Sequence, residues 1–173
     1  GSFTRSDLAA DYYDRILFQD ATFGDLRSRG GPFVNVAATE LTTGARITFN
    51  QNTFDLLCSD LSSVHLARAV AASSAVPGVF APVAFDNYAG TCGFDMRENL
   101  VRAFGQDVAN AAPGRTNLRE RELVALQDGV AHRYLHLVDG GLSDNIGLRS
   151  VLEGLEASVA SERFRQVSGL DKL

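Results

Sequence analysis

Residues 137–148 read LVDGGLSDNIGL. Apolar residues run directly into a carboxylate, two glycines and a polar cluster. The residues before it, Tyr134–Val138, are apolar enough for a strand, so Asp139 falls at a strand end. Gly140 and Gly141 can take backbone conformations closed to other residues, and they leave space beside the carboxylate. Asn145 either caps the helix that follows or orients the loop. Two readings fit this motif. Asp-Gly is ordinary turn chemistry, in which Asp139 only bonds loop amides. Alternatively, the strand end presents a working carboxylate, because functional groups of α/β sheets collect where strands end and loops converge.

Working outward, Leu148, Val151, Leu152, Leu155 and Val159 recur on one face of a C-terminal helix starting near Asn145. Upstream, Ser6-Asp7 can cap a helix reaching to about Phe18. The stretch 24–31 (GDLRSRGG) reads as a loop. Residues 32–38 and 45–49 read as two strands joined by the turn Leu41–Gly44, a β-hairpin. Asp60 or Ser62 can cap a helix over 62–74 with a small-residue face of Val64, Ala67, Val70 and Ala71, ended by Pro77-Gly78. Phe80–Val83 follows as an apolar loop. Residues 84–115 read as an irregular insertion with one helix near 97–110. Asn117 and Glu120 resemble a capping box for a helix stopping at Gly129. Alternating strands and helices predict a layered α/β domain. The few strands, three or four, make a thin sheet for this length and suggest that an N-terminal part of the domain lies elsewhere.

The 173 residues suit one domain, 1–173. Apolar content is 45% and charged content 21%, ordinary for a globular protein. A net charge of −5 gives no basic field for nucleic acid, so no nucleic-acid partner is expected. Any membrane contact should be transient and hydrophobic. No window resembles a membrane span or a signal peptide, which leaves a soluble or peripherally membrane-associated protein as the expectation. Cys58 and Cys92 lie 34 positions apart without C-x-x-C company. They are read as small buried thiols, not a disulfide framework.

Two stretches in this order, AVAASSAVPGVFAPV at 69–83 and LVDGGLSDNIG at 137–147, resemble the patatin-like phospholipase family. Ala72-Ser73-Ser74-Ala75 and Pro77-Gly78-Val79-Phe80-Ala81-Pro82 match one family pattern, and Asp139-Gly140-Gly141 matches the other. The stretch 35–44 (NVAATELTTG) is similar to the family's central strand and hairpin. Residues 5–18 and 56–62 resemble bacterial members. The resemblance implies a three-layer, modified α/β-hydrolase-like fold. It also implies a serine lipid acyl hydrolase with a Ser-Asp dyad, lipid or phospholipid esters as substrate, and no cofactor or metal. In that reading Asp139 is the catalytic base, supported by the loop residues Gly140, Gly141 and Asn145. A carboxylate can take this role when it reaches the serine hydroxyl and is partly desolvated.

The family's serine sits in a Gly-x-Ser-x-Gly elbow. None occurs here; Gly141-Leu142-Ser143-Asp144-Asn145 lacks the closing glycine and follows the aspartate. The chain therefore reads as a C-terminal part of the domain, incomplete at its N-terminus, inactive alone and partnered by the segment that holds the nucleophile. An incomplete sheet would expose an edge and favour self-association. The competing reading is a non-catalytic α/β interaction module or inactive fragment, with the motif kept as a turn.

Other candidates are weaker. His136 and Asp139 are three apart on a strand and face opposite ways, which argues against a Ser-His-Asp triad. His136 reads as packed in the strand, and His65 as surface. Ser73 and Ser74 read as helix-end serines. Asp139, Asp144 and Asn145 lack the spacing of a calcium loop. The apolar stretch 76–83 either borders a lipid-entry groove or packs beneath the long loop.

Overall fold

In the computed structural model, residues 3–30, 34–94, 125–149 and 152 are described. Helix α1 (Arg5–Tyr13) runs into a π-helical turn, Asp14–Phe18. Its cap is Thr4 rather than Ser6: Thr4 accepts from the Asp7 amide, and the Asp7 carboxylate accepts from the Thr4 amide at 2.8 Å. The same device opens α2 (Phe23–Ser28), where Thr22 and Asp25 satisfy each other's amides. The expected loop at 24–31 is thus largely helical. A Thr-x-x-Asp pair satisfies two amide donors that a helix start leaves unpaired, and this outweighs the glycine in the first turn.

Strands β1 (Ala37–Glu40) and β2 (Arg46–Thr48) form the expected hairpin, pairing Ala38 with Ile47, but β1 lies later than the strand expected at 32–38, since residues 34–36 are not in a strand. The turn closes on Gly44, whose φ of +72° favours glycine. Helix α3 (Gln51–Leu56), capped by Asn50, was not legible as an element. Asp60 does cap, but the element it caps is a 3₁₀ turn, Leu61–Ser63. Helix α4 (Leu66–Ser73) begins later than expected, with no side-chain cap. Its buried positions include Leu66, Ala69 and Ala72, which face the core, together with Ala67 and Ala71. Helix α1 packs against α4.

Strand β3 (Val83–Asp86) replaces the start of the expected irregular insertion. It pairs antiparallel with β4 (Tyr134–Val138), the predicted strand, in the register Val83–Leu137 to Asp86–Tyr134. The helices expected near 97–110 and from Asn117 fall outside the described residues, apart from a 3₁₀ turn at Ala125–Gln127. The sheet order is β2-β1-β4-β3, antiparallel throughout, and its combination with helices makes an α/β domain. Alternation sends Ala38, Ile47, Val83, Leu135 and Leu137 to one face, where they join Phe23, Phe49 and Phe54 in the core. The opposite face carries Thr39, Arg46 and Thr48, all buried as well; β2 is therefore not the half-buried strand its alternation predicts.

The cysteines overturn their sequence reading. Cys58 and Cys92 form a disulfide, with Cα atoms 5.6 Å apart, and neither is fully buried. Sequence spacing alone carries no information on such a pair, because the approach of 58 to 92 is set by tertiary contacts such as Tyr88 N–H to Leu57 O.

Candidate active site

Strand β4 is central in the sheet and delivers Asp139 at its carboxyl end. Beyond it the chain turns at once into a short helix, α5 (Gly141–Asp144). This short helix is separate from the one expected from near Asn145, because Asn145 sits at the C-terminal end of α5. Residues 145–147 form a turn and bend, and helix resumes at Arg149, with the Leu152 amide donating to Leu148 O at 2.9 Å. The rest of the expected helix lies outside the described residues. The turn is welded to the end of α4. The Asp139 amide donates to Ala75 O at 3.0 Å, and the Gly140 amide donates to Ser73 O at 3.1 Å. The two sequence stretches singled out, 72–75 and 139–141, thus meet through their backbones.

Each glycine has a distinct reason. Gly140 is buried, and a Cβ there would run into the carbonyl oxygen of Ala37 on β1. A Cβ on Gly141 would lie 2.9 Å from Asp139 Oδ1 and 3.0 Å from Asn145 Oδ1. The Gly141 amide donates to Asp139 Oδ1 at 2.7 Å, which fixes the carboxylate in a partly buried position. Asn145, itself exposed, walls the other side of Gly141.

Two residues absent from the sequence-level site, Thr39 and Arg46, hold this loop on the sheet, and a third, Glu40, holds the neighbouring β1–β2 turn. Thr39 Oγ1 donates to Asp139 O at 2.9 Å and also lies 2.9 Å from Ser143 Oγ. The buried guanidinium of Arg46 reaches Asp144 Oδ2 at 3.4 Å, and the Arg149 amide donates to the same oxygen at 2.9 Å. Glu40, at the far end of β1, is buried and accepts from the amides of Thr42 and Thr43 and from the Thr43 hydroxyl. Burial pushes its pKa up, but the hydrogen bonds from Thr43 and Thr42 outweigh it, so the net shift is downward. A buried Arg in a strand was the one signal available for this network, since an unpaired charge there is costly.

Two of the serines near Asp139, Ser74 and Ser143, are engaged elsewhere. Ser74 Oγ donates back to Val70 O at 2.9 Å, as a helix-end serine does. Ser143 Oγ lies 3.3 Å from Gly140 O. Among the described residues no serine hydroxyl bonds the Asp139 carboxylate. His136 is exposed while its neighbours Leu135 and Leu137 are buried, so it is not packed as expected; alternation on an outer face explains this. His65 is exposed, as expected. Asp144 is committed to Arg46 and Arg149, which removes one of the three oxygens weighed for a cation. A separate group, Asp14, Asp20 and His65, gathers its ligand atoms within 4.8 Å. There the Asp14 carboxylate already accepts the Asp20 amide. Exposed apolar side chains follow α4, at Val76 and Val79, and lie within and after α5, at Leu142 and Ile146.

The family model for patatin-like phospholipases matches residues 2–152. The chain belongs to the patatin-like phospholipase family. No curated protein and no solved structure matches it. Membership makes the family activity lipid acyl hydrolysis and the substrate class lipid. Among the described residues, no helix is long and apolar enough to cross a membrane.

Proposed function

We propose that this patatin-like chain supplies the aspartate of a Ser-Asp dyad for lipid ester hydrolysis, with Asp139 as the base. The observation that carries this reading is the joining of Asp139-Gly140 to Ala75 and Ser73 by two backbone hydrogen bonds. A simple turn does not need a carboxylate held partly buried at the end of a central strand, with glycines excluding side chains on both sides. In the reaction, Asp139 takes the proton of a serine hydroxyl as that oxygen attacks the ester carbonyl. It returns the proton to the departing alcohol, and water then releases the acid by the same exchange. Gly141 N–H holds one carboxylate oxygen, which leaves the other for the serine.

The nucleophile is assigned to polypeptide outside these 173 residues, because no Gly-x-Ser-x-Gly occurs in them. The exposed Val76, Val79, Leu142 and Ile146 suit a surface that either receives that segment or borders the acyl chain. The test is intact-mass analysis after fluorophosphonate treatment, on this chain and on a longer chain carrying the upstream reading frame. An adduct on an upstream serine, with none on residues 1–173, supports the split. A serine adduct within 1–173 overturns it.

A further inference from the structure

Helix α1 and its π-helical turn carry large apolar side chains on the outside. Leu8, Tyr12 and Ile16 recur at four-residue spacing, and each is more than half exposed, as are Phe3 and Leu17. The less exposed positions of α1 include Ser6, Ala9 and Ala10, which are small. A helix on a globular domain ordinarily has the reverse arrangement, with its large apolar residues inward. Singly exposed apolar residues are common, but a stripe of them along one element marks an interaction surface. The π turn extends the stripe by turning Ile16 and Leu17 out together.

Helix α4 lies against β1 and β4, and α1 packs on α4. Arg5 Nη1, at the start of α1, donates to Val79 O at 3.3 Å, past the end of α4. At the other end, Asp14 in the π turn lies beside His65, which precedes α4. The stripe therefore runs along the length of α4. It ends beside the segment that follows Ala75, whose carbonyl receives the Asp139 amide. Three observations select its occupant. The family acts on lipid. The exposed charges of residues 3–18 are Arg5, Asp11 and Arg15, two positive and one negative, so phosphate head groups do not repel this face although the chain carries −5. Asp7 is turned to Thr4 and Arg68, and Asp14 to the Asp20 amide. Finally, a protein segment that completes the sheet belongs beside the strands, and α4 stands between them and α1, a helix spacing of about 8–10 Å.

We propose that the outer face of α1 and its π turn docks on a lipid bilayer surface, with Leu8, Tyr12, Ile16 and Leu17 entering the boundary between head groups and acyl chains. The Tyr12 ring, apolar with a polar tip, suits that boundary, and Arg5 and Arg15 keep their heads among the phosphates while their stems lie along the apolar surface. The proposal rests on the lipid reading of the site but not on Asp139 as the base. Vesicle binding needs no nucleophile, so docking can fail while the dyad stands, and the reverse.

The chain has no tryptophan, so Tyr12→Trp places a single reporter on the stripe. Tyr134→Trp places one on the sheet face away from α4, where Tyr134 is exposed beside the core residue Leu135. Each variant is titrated with phosphatidylcholine vesicles. Emission of Tyr12→Trp should shift to the blue as vesicles are added, and that of Tyr134→Trp should not. In vesicle co-sedimentation, Leu8→Gln/Ile16→Gln should lower the partition coefficient of the chain roughly tenfold or more. Its circular dichroism should be unchanged, because both positions are exposed and glutamine is a good helix former. Absence of vesicle binding, a double variant that binds as well as the parent, or an equal shift of Tyr134→Trp overturns the proposal. Blue-shifted Tyr12→Trp emission without vesicles also overturns it. Seen in a longer chain carrying the upstream reading frame, it would assign the stripe to that polypeptide; seen on concentrating this chain, it would assign it to a second copy.

Discussion

Thr39 and Asp139, 100 residues apart in sequence, are joined by a 2.9 Å hydrogen bond from the threonine hydroxyl to the aspartate carbonyl. The bond ties the turn that carries the candidate base to strand β1. Thr39 is almost fully buried, so no water replaces the donor if it is lost. Thr39→Val keeps the shape and removes the hydroxyl. It should lower stability by about 1–2 kcal/mol, the cost of an unpaired buried acceptor. In a chain that includes the nucleophile, ester hydrolysis should fall by about tenfold or more, because small displacements of a base are costly. Urea unfolding and kcat/KM on a short-chain ester would measure both. Unchanged kcat/KM with reduced stability would make Thr39 purely structural.

Gly140 and Gly141 should respond differently to alanine. At Gly140 the added methyl meets backbone, the Ala37 carbonyl, which cannot move without breaking β1 from its neighbours. Gly140→Ala should yield little folded protein. At Gly141 the methyl meets only the Asp139 carboxylate and the Asn145 amide. Gly141→Ala should fold, with a stability loss of about 1–2 kcal/mol from overpacking, but in a chain that includes the nucleophile it should lose esterase activity as the carboxylate is pushed aside. Circular dichroism and ester hydrolysis separate the two outcomes. A folded and active Gly141→Ala would show that the carboxylate position is unimportant.

The turn at Asp139 was legible because its strand, its carboxylate and its glycines are neighbours in sequence. The hairpin was legible because alternation and Gly44 act locally. What holds the turn was not, since Thr39, Arg46 and Ser73 reach it only through sheet register and the docking of α4. The missed helix α2 had a local signal, Thr22-x-x-Asp25, hidden beneath a glycine-rich appearance. The Cys58–Cys92 bond had none, because nothing near either cysteine reports their approach.

Glu40 gives the fold an acid-sensitive point. Its folded-state pKa lies below the ordinary value near 4.5, because the hydrogen bonds from Thr43 and Thr42 outweigh the effect of burial. Between the two values the unfolded chain binds more protons than the folded one, so stability rises with pH there. The contribution is complete above the unfolded value and is lost as pH falls through the folded one. Urea midpoints at pH 7, 5, 4 and 3 should fall in the most acidic samples. Glu40→Gln should be less stable at pH 7 and show a shallower acid decline. An equally steep decline in Glu40→Gln would assign the acid sensitivity to other carboxylates.

The Cys58–Cys92 bond links the turn after α3 to the segment after β3, across a sequence separation of 34. Closing a loop of that length removes unfolded-state entropy worth up to about 3–4 kcal/mol. Cys58 also lines a cavity on the core face of the sheet, beside Leu57 and Phe49, so the bond holds part of that wall in place. Reductant should therefore lower the melting temperature of the chain. The Cys58→Ser/Cys92→Ser variant should melt at the lower temperature whether or not reductant is present. Alkylation of the unfolded, unreduced protein should leave both cysteines unlabelled. If both are labelled before reduction, the bond is absent in solution and the two segments are held by packing alone.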